Sequence, residues 1–327
     1  MRSYVAVGYF VVGAAAQALA GDLTVSVRNG AQARENVTVC QRMTREWAAS
    51  AADAGLAERY PDGSFAPVPY AVDRTGETPV LVWQMPGTTE PDAVRRFEWR
   101  ADHMLCAAPG GDLAVSVDDT RIVISNGFFR LKHPVRGRGG FPQDIEYVRS
   151  GHADPDLYFL DRIVRKDADG RVMQYGANVC EDAAARVVFA SPLRAVVEVR
   201  TGFGTRAAAT PGQPQAVYRY TYSAHSPVVQ VDARYTRTDD GPWRELHFLH
   251  LSRKEARYTH FVTGDAGGTH LLQPKGARSR AVNGPQWAVM ADAADACGTG
   301  FEGAVCWDAS DEFVYYIRSG HMTWMGP

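Results

Sequence analysis

Four long stretches near the middle of the chain alternate apolar and polar residues, with no helix-forming segment between them. They are "LRAVVEVRTGF" (Leu193–Phe203), "QAVYRYTYSA" (Gln215–Ala224), "PVVQVDARYTRT" (Pro227–Thr238) and "WRELHFLHL" (Trp243–Leu251). A period of two marks strands with one buried and one solvated face. Strands that follow one another through short turns pair antiparallel, which excludes βαβ units and predicts a sandwich. More short strands follow in "YTHFVTG", "HLLQP", "QWAVMAD", "GAVCWDA" and "EFVYYIRS". Ahead of them, "ISNGFFRLKH" sets Asn126-Gly127 between two apolar runs, a strong hairpin signal.

Alternation also assigns faces. Tyr218, Tyr220 and Tyr222 share one face and read as packing residues, with Val217, Arg219 and Thr221 opposite. In the last of the four strands, Trp243, Glu245, His247 and Leu249 oppose Arg244, Leu246, Phe248 and His250. His247 and His250 therefore point to opposite sides, and the HxxH spacing makes no metal pair. If the four strands are neighbours, their polar faces align. Glu198, Arg200, Arg219, Asp232, Arg234, Glu245 and His247 would then share one surface with Trp243 at its edge. Arg219, Arg234 and His247 are expected on one concave surface.

The N-terminal part is different. "LTVSVRN", "NVTVCQR", "PVLVWQM" and "RRFEWRAD" read as short strands, and "REWAASAADAGLAERY" (Arg45–Tyr60) as a helix closed by the turn "PDG". "CAAPGGD" (Cys106–Asp112) reads as a linker. The expected organisation is all-β: a small β domain over 21–108, then a large antiparallel β-supersandwich over 109–327. Residues 1–20 carry the pattern of a secretory signal: Arg2, an apolar run from Tyr4 to Ala16, and Ala18-Leu19-Ala20 before Gly21. Even counted through Leu19, the run is about 16 residues and falls short of the ~20 that span a bilayer. The expectation is cleavage after Ala20, a secreted or periplasmic protein, and no membrane span in the mature chain.

Composition narrows the function. Hydrophobic residues make up 45% and charged residues 22% of the 327, a globular balance. The net charge of −2 and the absence of a Lys/Arg-rich run argue against nucleic acid as a partner. The five cysteines fit an oxidising compartment, with Cys297 and Cys306 flanking a Gly-rich loop that a disulfide would close. No HExxH, Cys/His cluster, GxSxG or P-loop occurs, and no GxGxxG fingerprint opens a βαβ unit, so neither a metal nor a cofactor is expected.

The stretch "IVISNGFFRLKHPVRGRGGFPQDIEYVRSG" (Ile122–Gly151) resembles the opening of galactose-mutarotase-like β-supersandwich domains. The matching residues are Ile124, Asn126, Phe128, Phe129, Leu131, Gly139, Gly140, Ile145, Ser150 and Gly151. "YRYTYSAHSPVVQVDARYT" looks like that fold's paired long strands, "WRELHFL" like the strand after them, and "QWAVMADAADACGTGFEGAV" like its tryptophan and Gly-rich segment. Such domains occur in aldose epimerases, glycoside hydrolases and polysaccharide lyases. A small β domain before a supersandwich resembles the front of exo-acting rhamnogalacturonan lyases, which continue into a helical toroid. Here the sequence stops at Pro327, so either it is a fragment or the toroid is absent.

The resemblance implies a carbohydrate-active protein that acts on or binds acidic polysaccharide or oligosaccharide, with a polysaccharide lyase favoured. A uronate lyase needs a cation to neutralise the carboxylate and a base to take the adjacent proton. Arg200, Arg219, Arg234 and Arg244 are candidates for the first, with Trp243 as a flat sugar contact. His247 and Glu245 are the catalytic candidates; they share a face about 7 Å apart at Cα. A non-catalytic carbohydrate-binding or scaffolding module, an aldose epimerase and a glycoside hydrolase are the alternatives. A hydrolase would need two carboxyl groups ~5–10 Å apart.

Overall fold

A computed structural model describes residues 14–19, 22–30, 33–50, 55–100, 110–148, 151–154, 157–166, 169–205, 212, 214–236, 243–253, 260–265, 268–272, 280–283, 287–291, 305–307, 314–318 and 321–326. For 243–245 and beyond His247 the backbone alone is described. The N-terminal strands are β1 (Ala14–Leu19), β2 (Asp22–Arg28), β3 (Arg34–Arg42), β4 (Gly55–Arg59), β5 (Phe65–Pro67), β6 (Tyr70–Asp73), β7 (Val80–Thr89) and β8 (Val94–Arg100), with the short helix α1 (Arg45–Ser50) between β3 and β4. They form a five-stranded sheet, β1-β2-β8-β4-β5, and a three-stranded sheet, β3-β7-β6. Val25, Val27, Leu56 and Phe97 of the first pack on Val39, Leu81, Trp83 and Met85 of the second. The Trp83 and Phe97 rings meet at 5.5 Å.

The helix expected over Arg45–Tyr60 is shorter. It starts where Thr44 Oγ1 accepts the Trp47 N–H, an N-cap, and Gly55–Arg59 is a strand paired to β8. Tertiary pairing overrides the alanine-rich propensity there. Leu56 and Ala57 enter the core, and buried Glu58 accepts the guanidinium of Arg95 from the neighbouring strand.

The larger region begins with β9 (Ala114–Val117), β10 (Arg121–Ser125), β11 (Phe129–Pro134), β12 (Gln143–Tyr147) and β13 (His152–Asp154), forming the sheet β13-β12-β11-β10-β9. Asn126-Gly127 does turn β10 into β11, with Ile122 opposite His133 and Ile124 opposite Leu131. Asn126 fixes the turn: its Oδ1 accepts the N–H groups of Phe128 and Phe129, and its Nδ2 donates to Ser223 and Ser226 carbonyls. After β14 (Leu157–Phe159), β15 (Arg162–Lys166) and β16 (Val172–Gly176) comes a four-stranded sheet, β17 (Ala184–Ala190), β18 (Arg194–Gly202), β19 (Gln215–Ser223) and β20 (Val229–Thr236), in sequence order.

The remaining strands are β21 (Trp243–Arg253), β22 (His260–Asp265), β23 (Gly268–Leu272), β24 (Arg280–Asn283), β25 (Trp287–Ala291), β26 (Val305–Trp307), β27 (Val314–Arg318) and β28 (His321–Gly326). They complete the sheets β16-β15-β21-β28-β27-β24, with β14 also on β21, and β23-β22-β25-β26. Every strand pair described is antiparallel, and the fold is nearly all β, as the alternation requires. Among the described residues no helix is long and apolar enough to cross a membrane. Cys106 and Cys297 lie outside the described residues, as does the side chain of Cys306; Cys40 and Cys180 are free thiols.

The inner face of β17–β20 packs on the sheet of β9–β13. Tyr218, Tyr220 and Tyr222 are 0–1% exposed and fill this core with Ile122, Leu131 and Phe141. Their burial confirms packing as their role. Two of the hydroxyls find partners: Tyr218 donates to buried Asp161 at 2.9 Å, and Tyr222 lies 2.6 Å from His133 Nε2. His133 Nδ1 is 2.8 Å from the Gly140 carbonyl. A carbonyl can only accept, so Nδ1 carries the proton and Nε2 accepts from Tyr222. Burial pushes the His133 pKa down to about 4, which keeps the ring neutral.

Candidate ligand face

The outer face of β17–β20 carries the polar side chains that alternation assigns to it. Glu198 of β18 is directly opposite Arg219 of β19, and Arg219 opposite Asp232 of β20. Two residues along, Arg200 faces Val217 and Val217 faces Arg234. Arg200, Arg219 and Arg234 therefore share a surface, as expected.

Strand β21 does not join them. It runs in the other sheet, paired to β15 and β28, with Glu245 opposite Val164 and His247 opposite Arg162. The expected single surface of Arg219, Arg234 and His247 is thus not formed. Sequence order suggested adjacency, but the chain leaves the four-stranded sheet after β20. His247 is 4% exposed, out of reach of a polymer at the surface. The side chains of Trp243, Arg244, Glu245 and His250 lie outside the described residues.

The outer face is divided. One half is covered by the N-terminal region. Arg194 Nε donates to Asp73 Oδ2 at 3.1 Å, with both side chains largely buried (12% and 5% exposed). Asp73 Oδ1 accepts the backbone N–H and hydroxyl of Thr75. Thr75 in turn accepts Arg219 Nη2 at Oγ1 (2.7 Å) and Nη1 at its carbonyl (3.2 Å). Thr38 adds a hydrogen bond to the Ala224 carbonyl. Val196 and Thr221, on the same outer face, are buried beneath these contacts. Arg219, a candidate sugar contact in the sequence, is therefore engaged in holding the two regions together.

The other half is bare. Arg200 and Arg186 both donate to Glu198, at 3.1 and 2.9 Å, and their guanidinium side chains stay 66% and 65% exposed. Burial raises the Glu198 pKa, and the two arginines outweigh it, so the carboxyl ends below its ordinary value. Asp232 goes the other way: burial raises its pKa against the pull of Arg194, Arg219, Arg42 and Arg234. Arg234 pairs with Glu77 at 2.9 Å, both exposed.

Over the polar face of β10, β11 and β12 lies a cleft of about 380 Å³, which alternation alone did not reveal. Arg121, Lys132, Arg136 and Arg138 line it with Asp144 and Glu181. Arg121 is held by Asp118 (3.0 Å) and Lys132 by Asp144 (3.1 Å). Arg136 makes no hydrogen bond or ion pair to any described residue. The segment "RGRGG" (Arg136–Gly140) builds this wall. Gly137 donates to the Ala183 carbonyl, and Arg138 sits at φ 49°, an uncommon conformation for a side-chain-bearing residue. Gly140, at φ 70°, resists replacement: a Cβ there would lie 2.6 Å from Val199 Cγ1, and something would have to shift. Packing beneath the turn thus forces Arg136 and Arg138 outward. The run of arginines separated by glycines was the signal available in the sequence. Among the described residues no group of three His, Cys, Asp or Glu side chains is placed to hold a metal.

No family model matches the chain, and no curated protein does. Among solved structures, an alpha-mannosidase from Enterococcus faecalis V583 is similar with a TM-score of 0.49 and 11% identity over 93% of this chain and 39% of that one. A glycosyl hydrolase family 38 protein from Enterococcus faecalis gives 0.49 and 10% identity over 92% and 40%. The chain spans about two fifths of the length of these structures.

Proposed function

We propose that this is an exported carbohydrate-active protein that binds acidic polysaccharide at the cationic cleft. One observation carries the reading: four cations converge on a concave surface, and one of them, Arg136, has no partner among the described residues. Guanidinium forks pair bidentately with carboxylates, and a cleft that focuses one sign of charge attracts the opposite one. Asp144 and Glu181 in the same wall can accept sugar hydroxyls. The sequence resemblance to carbohydrate-active supersandwich domains points the same way.

The test is calorimetric titration with polygalacturonate, polymannuronate and a neutral glucan. Binding of the uronate polymers is expected, weakening with salt and lost in Arg136→Ala. Equal binding of the neutral glucan would reject the reading. Elimination on the bound uronate is the second reading, favoured by Glu181. One carboxylate oxygen lies 3.1 Å from where a Cβ on Gly137 would stand, and Glu181 lines the cleft with Arg136 and Arg138. In this reading Glu181 would act as the base, with Arg136 or Arg138 of the same cleft neutralising the uronate. Absence of new unsaturated ends would leave binding alone.

Export rests on the signal pattern of residues 1–20. Ala14–Leu19 pairs with β2 as β1; cleavage after Ala20 would remove it and leave β2 at the sheet edge. Sequencing the N-terminus of the mature protein tests this, with Gly21 expected first.

A further inference from the structure

We propose that the bare half of the outer face is an extended site for a linear polyuronate. The polymer lies across the strands, with Arg136, Arg200 and Arg234 as successive carboxylate contacts. This deepens the reading above and rests on it.

Arg136 bridges Ala184 of β17, Ala184 pairs with Arg200 of β18, Arg200 with Val217 of β19, and Val217 with Arg234 of β20. Residues directly opposite one another in antiparallel strands project to the same side of the sheet. The row thus reads Arg, Ala, Arg, Val, Arg, and all three arginines are exposed. Neighbouring strands are ~4.8 Å apart, which sets the arginines at about 10 Å intervals and the whole row at about 19 Å. The two positions between them are apolar and uncharged, flat ground for the faces of sugar rings.

The existing partners leave the row available. Arg200 shares Glu198 with Arg186, and Arg234 meets a Glu77 that is itself 77% exposed. Glu198 is largely buried, so Arg186 keeps it paired when Arg200 turns to a ligand, while the exposed Arg234–Glu77 pair is weak and exchanges readily. Arg136 belongs both to the row and to the cleft, so the two surfaces form one track.

The spacing selects the ligand. A pyranose ring linked through opposite corners advances by roughly one strand spacing. In an extended two-fold uronate chain, carboxylates on one side recur at every second ring, and so meet every second strand. Nucleic acid carries a phosphate about every 3.4 Å per strand, far denser than this row. Glu198 and Glu77 lying in the track further oppose a densely charged polyanion.

The experiment uses β-1,4-linked mannuronate oligomers of two to eight rings, titrated into the full chain and into Arg136→Ala, Arg200→Ala and Arg234→Ala. Affinity is expected to climb with length and level off once the oligomer spans the row, at about five rings. Each substitution should weaken the six-ring oligomer about five- to tenfold. The two-ring oligomer should respond to Arg136→Ala alone. Unchanged thermal unfolding of the variants would show that folding is not the cause. Affinity flat from two to eight rings, with Arg200→Ala and Arg234→Ala like wild type, would overturn the track and leave the cleft reading standing. No uronate binding at all would overturn both. Binding of an oligonucleotide as tight as that of the six-ring uronate would overturn the assignment of ligand.

Discussion

The two halves of the outer face of β17–β20 use the same residue types for opposite purposes. In the covered half, Arg194 and Asp73 are both largely out of water, and Thr75 ties them to Arg219. In the bare half the arginines themselves are exposed: Arg200 shares Glu198 with Arg186, and Arg234 meets an exposed Glu77. Burial decides the difference. Removing one partner from a desolvated pair strands a charge and costs about 3–5 kcal/mol, whereas an exposed pair contributes about 0–1 kcal/mol. An arginine in a sheet is a structural clamp or a free ligand contact according to what lies over it.

Substitutions can break this contrast. The largest effect is expected for Arg194→Ala, which leaves Asp73 without its cation and should cost about 3 kcal/mol in denaturant unfolding. A cost below about 1 kcal/mol would erase the distinction between the halves. Next comes buried His133, which joins Tyr222 to the Gly140 carbonyl. The folded pKa of His133 is depressed, so its neutral form is favoured and its contribution is lost as pH falls. From the ordinary 6.5 down to about 4, the loss approaches about 3 kcal/mol. The stability gap between wild type and His133→Asn should narrow over that window; a constant gap would contradict the assigned tautomer and burial.

Gly140→Ala should cost about 2–3 kcal/mol, because the added methyl meets Val199 while φ stays positive. It should also weaken uronate binding by shifting the turn under Arg136, and unchanged affinity would separate the turn from the site. The smallest stability effect belongs to Arg200→Ala and Arg234→Ala, each within about 1 kcal/mol of wild type. A larger loss in either would mean that the bare half is structural too.

Much of the fold was legible. The period of two assigned the tyrosines inward and Arg200, Arg219 and Arg234 outward, and Asn126-Gly127 marked its hairpin. The helix over Arg45–Tyr60 was overextended because propensity is local and Glu58 is held in a strand by Arg95 from β8. His247 was placed on the wrong surface for a related reason: alternation gives the face of a residue within its own strand, and nothing about which sheet that strand enters.

The candidate site was legible only in part. Alternation could not find Arg136, which lies in a glycine-rich turn outside the regular strands. Its alignment with Arg200 depends on a single bridge to Ala184.

What the sequence determined by itself was the strand architecture and the polarity of each face, because side-chain direction follows from backbone geometry alone. Only the tertiary structure decided which arginines stay free. Solvent exposure depends on what packs above a residue, and here the cover comes from Asp73 and Thr75, more than a hundred residues away in the chain.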